Sequence, residues 1–118
     1  MKLYGIPNCG TVKKARVWLD EHGVHYEFCD FKKQGVTEPL LSGWLGQIGW
    51  QKLLKKTGPT WGKLPDAVKA SIQDDATALA LMLEKTSVIK RPVLEQDGKL
   101  LQVGFDESAY SRIFNLKS

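Results

Sequence analysis

The chain predicts an α/β domain: a βαβ unit and a ββα unit share one mixed four-stranded sheet, and an all-helical block separates them. Three observations predict it. Short β-type runs flank a segment of helical period near the N-terminus, the middle of the chain is helical in period throughout, and strand character returns only around Pro92, with an Asp-Gly turn. At 118 residues the chain is long enough for one self-sufficient core.

The elements follow in order. Lys2 to Gly5 is the first β-type run, leading into the loop Ile6-Pro7-Asn8-Cys9-Gly10. From Thr11 the period changes: Val12, Ala15, Trp18 and Leu19 recur at helical spacing, and Gly23 reads as the helix stop. Val24 to Phe31 alternates, with Val24, Tyr26 and Phe28 on one face and His25, Glu27 and Cys29 on the other. A strand, helix and strand of this length form a right-handed unit whose strands run parallel.

In the middle, Thr37 can cap a helix with Pro39 in its first turn and Leu40, Leu41, Trp44, Leu45 and Ile48 as its buried stripe. Trp50 to Leu54 is a further helical piece, Gly58-Pro59 breaks the chain, and Pro65 opens a turn through Ala70. Asp74-Asp75 leads into a helix with Ala76, Leu79, Ala80 and Leu83 as its expected apolar face. Then Pro92 to Glu95, the turn Gln96-Asp97-Gly98, and Lys99 to Val103 form a hairpin, and Asp106 caps a last helix through Ile113. Without the helical block the order is βαβ followed by ββα, the thioredoxin-like plan. The expected organisation is one domain over residues 1–118 with a helical insertion over 35–87.

Composition narrows the function. Hydrophobic content of 42% and charged content of 25% suit a globular domain. No run reaches the length of a membrane span, and Met-Lys-Leu-Tyr-Gly-Ile-Pro lacks the apolar core of a signal peptide, so no membrane partner and a cytoplasmic location are expected. The net charge of +4 is spread as pairs, Lys13-Lys14, Lys32-Lys33, Lys55-Lys56 and Lys90-Arg91, rather than as a stripe, which argues against nucleic acid as a partner. Two cysteines without a CxxC pair fit neither a disulfide scaffold nor a zinc site, and no bound cofactor or metal is expected.

Cys9 is the candidate nucleophile. In a parallel βαβ unit the loop after the first strand opens at the carboxyl edge of the sheet, where ligands bind. A cysteine just before the helix faces unpaired amides and the positive end of the dipole, which favours the thiolate, the reactive form. Thr11 can offer its hydroxyl to the sulfur or cap the helix. Lys13 and Lys14 stand in the first turns, where cations oppose the dipole, and make sense if an anion is held nearby. For Arg91-Pro92, spacing alone leaves a strand-start proline and a surface arginine. Cys29, near the carboxyl end of the second strand, has a topological route to a resolving role, but a disulfide needs Cα atoms within about 7 Å.

These residues resemble a known family. Tyr4-Gly5-Ile6, Cys9, Thr11, Lys13-Lys14-Ala15, Ile89-Lys90-Arg91-Pro92 and Val103-Gly104-Phe105 are similar to the arsenate-reductase-like (ArsC/Spx) family. Gly49-Trp50, Leu53-Leu54, Thr60-Trp61 and Lys63-Leu64 are similar to its YffB-like branch. The resemblance implies a catalytic Cys9 assisted by Arg91, a cis Arg91–Pro92 peptide, and an anion site drawn from Gly10, Thr11, Lys13, Lys14, Lys55 and Pro92. In arsenate reductases of this type the cysteine attacks the oxyanion, glutathione completes the adduct and glutaredoxin regenerates the enzyme. Those enzymes use three arginines; Arg91 matches one, Lys55 falls at the second and Gly104 near the third, so a tetrahedral oxyanion would be weakly clamped. Spx regulators carry a CxxC switch, which Val12 interrupts here. The leading expectation is a monomeric thiol-dependent oxidoreductase acting on a small anionic or disulfide substrate, with glutathione as co-substrate and glutathione or a glutaredoxin-type protein as reductant. Arsenate reduction and a non-catalytic regulatory or interaction module, docking through Trp44, Trp50 and Trp61, are the alternatives.

Overall fold

A computed structural model describes residues 1–115 and divides them into two compact units, residues 1–34 with 91 onward, and Gly35–Lys90. The first unit holds β1 (Lys2–Gly5), α1 (Gly10–Glu21), β2 (Glu27–Asp30), α2 (Phe31–Gln34), β3 (Val93–Gln96), β4 (Lys99–Val103) and α8 (Glu107–Ile113). The second holds α3 (Glu38–Ile48), α4 (Trp50–Leu53), α5 (Pro59–Gly62), α6 (Asp66–Ser71), α7 (Asp75–Glu84) and a 3₁₀ turn, Thr86–Val88.

The sheet runs β2-β1-β3-β4, with β1 parallel to β2 and antiparallel to β3, and β3 antiparallel to β4. This is the mixed four-stranded, thioredoxin-like arrangement read from the sequence. One face of the sheet presents Leu3 and Leu94 to Ala15, Trp18 and Leu19 of α1 and to Tyr110 of α8, all buried. Tyr110 meets Trp18 and Phe105 edge-on, with ring centroids 5.5 and 4.9 Å apart. The four apolar positions predicted for α1, Val12, Ala15, Trp18 and Leu19, are the four it buries. It stops where expected, since Gly23 has φ 66°, the left-handed conformation that glycine adopts without steric cost.

The hairpin turn also matches its signal. Asp97 and Gly98 have φ 52° and 81°, the double positive φ of a two-residue turn whose twist suits antiparallel strands. A register shift at Leu94/Glu95 leaves Leu101 unpaired in β4. Asp106 caps α8 by accepting from the Ser108 amide at 3.0 Å.

Two expectations need correction. The alternating run from Val24 to Phe31 is a strand only over Glu27–Asp30. Asp30 ends it by accepting from the Lys32 and Lys33 amides at 2.8 and 3.4 Å, which folds Phe31 into α2 and stacks its ring on Tyr4. In α7 the buried residues are Ala78, Leu81 and Met82, whereas Leu79 is half-buried and Leu83 is exposed. This helix is apolar nearly all round, so its pattern does not set its phase. The Asp74–Thr77 capping box and packing against α3 and α4 do.

Within the second unit α3 buries Leu41, Trp44 and Leu45, and its cap is Thr37, which accepts from the Leu40 amide at 3.4 Å. The chain after the 3₁₀ turn returns beside α4: Leu54 bridges Ile89, Lys55 donates to the Val88 carbonyl, and Lys90 donates to that of Leu53.

Candidate functional site

The site grows out of the β1–α1 loop. Cys9 is the residue that opens α1, with φ −83° and ψ 127°, and its carbonyl accepts the first intrahelical bond from Lys13 N–H at 2.9 Å. The sulfur closes no regular capping bond, but it lies before the free amides of Val12 and Thr11, and Arg91 donates to it. Partial burial pushes the Cys9 thiol up; the two amides, the Arg91 hydrogen bond and the Arg91 charge outweigh that and leave it below its ordinary value. Cys9 remains partly accessible, and nothing would crowd a Cβ at Gly10 beside it, so a reactant has an open approach.

Arg91 reaches the sulfur because the sheet brings the two ends of the first unit together. β3 lies beside β1, and the half-buried Arg91 immediately precedes the buried Pro92 at the start of β3. The Arg91–Pro92 peptide is cis, and the Pro92 carbonyl accepts from the Gly104 amide at 2.9 Å. Spacing alone leaves Arg91 as a surface residue; a contact across the sheet between positions 9 and 91 has no local signature.

Other candidates fall elsewhere. Thr11 is exposed and does not cap α1, because the capping position is Cys9 itself; its amide faces the sulfur. Lys13 and Lys14 are exposed and line a groove of about 370 Å³ with Val17, Trp18 and Phe105, and neither is among the strongest influences on the thiol. Lys55 belongs to the second unit, where the end of its side chain lies against Gly58. Cys29 is 4% exposed and its Sγ donates to Glu27 Oε2 at 3.6 Å. Burial first, and the Glu27 carboxylate next, push this thiol up. Glu27 lies toward the amino end of β2, opposite the edge at which the Cys9 loop leaves β1, so Cys29 is protonated and directed away from Cys9.

Two contributors escaped the sequence reading. Helical period places the Val12 side chain in the core, where it lies, and its backbone amide is the leading stabiliser of the thiolate. Gly5 is buried at the end of β1, and a Cβ there would come within 2.8 Å of Val12 Cγ2. The signal available was a glycine closing a strand that otherwise favours side chains.

The ArsC family model matches residues 4–113. The chain belongs to the ArsC family. The solved structure of a YffB protein is 47% identical, covers 95% of this chain and 96% of its own, and superposes with a TM-score of 0.88. An arsenate reductase (ArsC) related protein from Brucella melitensis is also 47% identical, over 98% of this chain and 94% of its own, with a TM-score of 0.76. Among curated relatives, the global transcriptional regulator Spx of Enterococcus faecalis is 32% identical over 95% of this chain and 84% of its own. ArsC-family members thus include proteins named for reduction and proteins named for regulation. Among the described residues of this member, no helix is long and apolar enough to cross a membrane.

Proposed function

We propose that this ArsC-family protein is a thiol-dependent oxidoreductase that uses glutathione and in which Cys9 is the nucleophile. The observation that carries the reading is the Cys9 sulfur at the opening of α1, before the Thr11 and Val12 amides and within hydrogen-bonding reach of Arg91. These groups hold the Cys9 thiol below its ordinary value and so raise its thiolate fraction, and the thiolate is the form that attacks disulfides.

The step balances as a thiol–disulfide exchange. The Cys9 thiolate attacks the glutathione sulfur of a mixed disulfide; the Cys9–glutathione S–S bond forms as the target S–S bond breaks, and the target leaves as a thiolate that takes a proton from water. A second glutathione thiolate then attacks the glutathione sulfur on Cys9, releasing the Cys9 thiolate and glutathione disulfide. Arg91 supplies a cation for the glycyl carboxylate of glutathione as well as for the sulfur. A buried, protonated Cys29 aimed at Glu27 is a poor resolving thiol, which favours an external one. Reduction of arsenate finds less support, because the site of the first unit offers the sulfur one guanidinium where a tetrahedral oxyanion calls for several.

The test is titration with glutathione disulfide followed by intact mass and peptide mapping. One glutathione on Cys9, and none in Cys9→Ser, is expected. No adduct, together with a Cys9 alkylation midpoint at the value of a free thiol, removes the proposal.

A further inference from the structure

In the second unit the lysine-rich turn after α4 is built around two tryptophans. Of the three tryptophans singled out as a docking face, Trp44 is 1% exposed and belongs to the core, whereas Trp50 and Trp61 are half-buried. The Lys56 ammonium lies 5.4 Å from the Trp50 ring centroid and 5.8 Å from that of Trp61, within cation–π range of both. Lys55 Cε and Nζ lie against Gly58, and Lys69 Nζ donates to the Gly62 carbonyl at 3.3 Å. Three ammonium groups therefore converge on the turn from Gly58 to Gly62. None of the three has an ion-pair partner among the described residues, and the chain from Pro39 to Pro65 contains no Asp or Glu.

We infer that the Trp50–Lys56–Trp61 surface, with Lys55 and Lys69, docks an acidic polypeptide segment of a partner protein. Lysines without an ion-pair partner, gathered at one turn, complement clustered carboxylates; Asp75, whose Oδ1 accepts from the Trp50 amide at 3.0 Å, brings a single carboxylate to this surface. Lys56 is already held between two rings, so recruiting its charge costs less side-chain entropy than recruiting a free lysine. Each indole has Lys56 over its ring, which leaves less open aromatic face for base stacking, so the acidic peptide is favoured over a single-stranded nucleic acid.

The test uses the full chain and two probes, a fluorescein-labelled octaglutamate peptide and a labelled twelve-residue oligothymidylate, read by anisotropy. The acidic peptide is expected to bind more tightly than the oligonucleotide, and to weaken as salt screens the charges. Replacing Lys55, Lys56 and Lys69 by Gln should weaken it about tenfold, whereas replacing exposed Lys32, Lys33 and Lys99 by Gln, an equal loss of charge, should weaken it less than twofold. Lys56→Arg should bind as the wild type does, and Cys9→Ser should leave docking intact, which separates this surface from the chemistry at Cys9. Circular dichroism checks folding; if the triple variant does not fold, Lys56→Gln alone should weaken binding severalfold. Three results overturn the inference: no binding of the peptide, equal weakening by both triple variants, or tighter binding of the oligonucleotide.

Discussion

Replacing Gly5 with Ala tests how the fold places the nucleophile. The new Cβ would lie 2.8 Å from Val12 Cγ2 and 3.4 Å from Val12 Cγ1. Comfortable carbon–carbon contact begins at about 3.5 Å, so the strand and the helix must separate by roughly 0.7 Å or more at this point. Val12 cannot simply rotate away, because a β-branched side chain in a helix has one strongly preferred rotamer and this one is fully buried. Overpacking of this kind costs about 1–3 kcal/mol. The displacement falls on the first turn of α1, the turn that presents the Val12 and Thr11 amides to the sulfur. Gly5→Ala should therefore lower thermal stability and raise the pH midpoint of Cys9 alkylation. The double variant Gly5→Ala, Val12→Ala makes room for the added methyl and should restore both in part, so the double-mutant cycle shows a favourable coupling. A Gly5→Ala protein with unchanged stability and an unchanged Cys9 midpoint would refute the reasoning.

Other outcomes follow from the same geometry. Arg91→Leu removes both a donor to the sulfur and its charge, so iodoacetamide titration should show the Cys9 midpoint moving upward. Because folding lowers the Cys9 thiol, its ionised form contributes stability that is complete above the pKa of the unfolded thiol and disappears as pH falls through the native value. The stability difference between wild type and Cys9→Ser, followed by denaturant titration, should therefore grow as pH rises across that window. Cys29, buried and pushed up, should react with iodoacetamide far more slowly than Cys9 at neutral pH, and mass mapping should find it modified mainly after unfolding. Tyr110 is fully buried and its hydroxyl has no hydrogen-bond partner among the described residues, so Tyr110→Phe should leave stability unchanged or raise it by about 1 kcal/mol; a loss of more than that would reveal an unseen partner.

Legibility in the sequence tracked the range of the interaction. Gly23, Thr37, Asp97-Gly98 and Asp106 act within a few residues of themselves, and each performs the turn or cap its chemistry suggests. The apolar face of α1 was readable because charged residues fill its other sides. That of α7 was not, since an apolar run such as Ala78-Leu79-Ala80-Leu81-Met82-Leu83 offers several equivalent faces and packing chooses among them. Lys13 and Lys14 read as anion ligands by proximity in sequence; both line a groove with Val17, Trp18 and Phe105, and neither is among the strongest influences on the Cys9 thiol.

By itself the sequence determined the order of the elements, the parallel pairing of the first two strands, and a cysteine at a helix opening, because period, turn chemistry and the handedness of βαβ units are local properties. Only the tertiary structure decided that Arg91 meets that cysteine, that Cys29 bonds Glu27 instead, and that Gly5 lets α1 approach β1 closely enough to aim its amides. Those outcomes depend on strand pairing between distant segments and on sub-ångström packing, to which no single stretch of residues is sensitive.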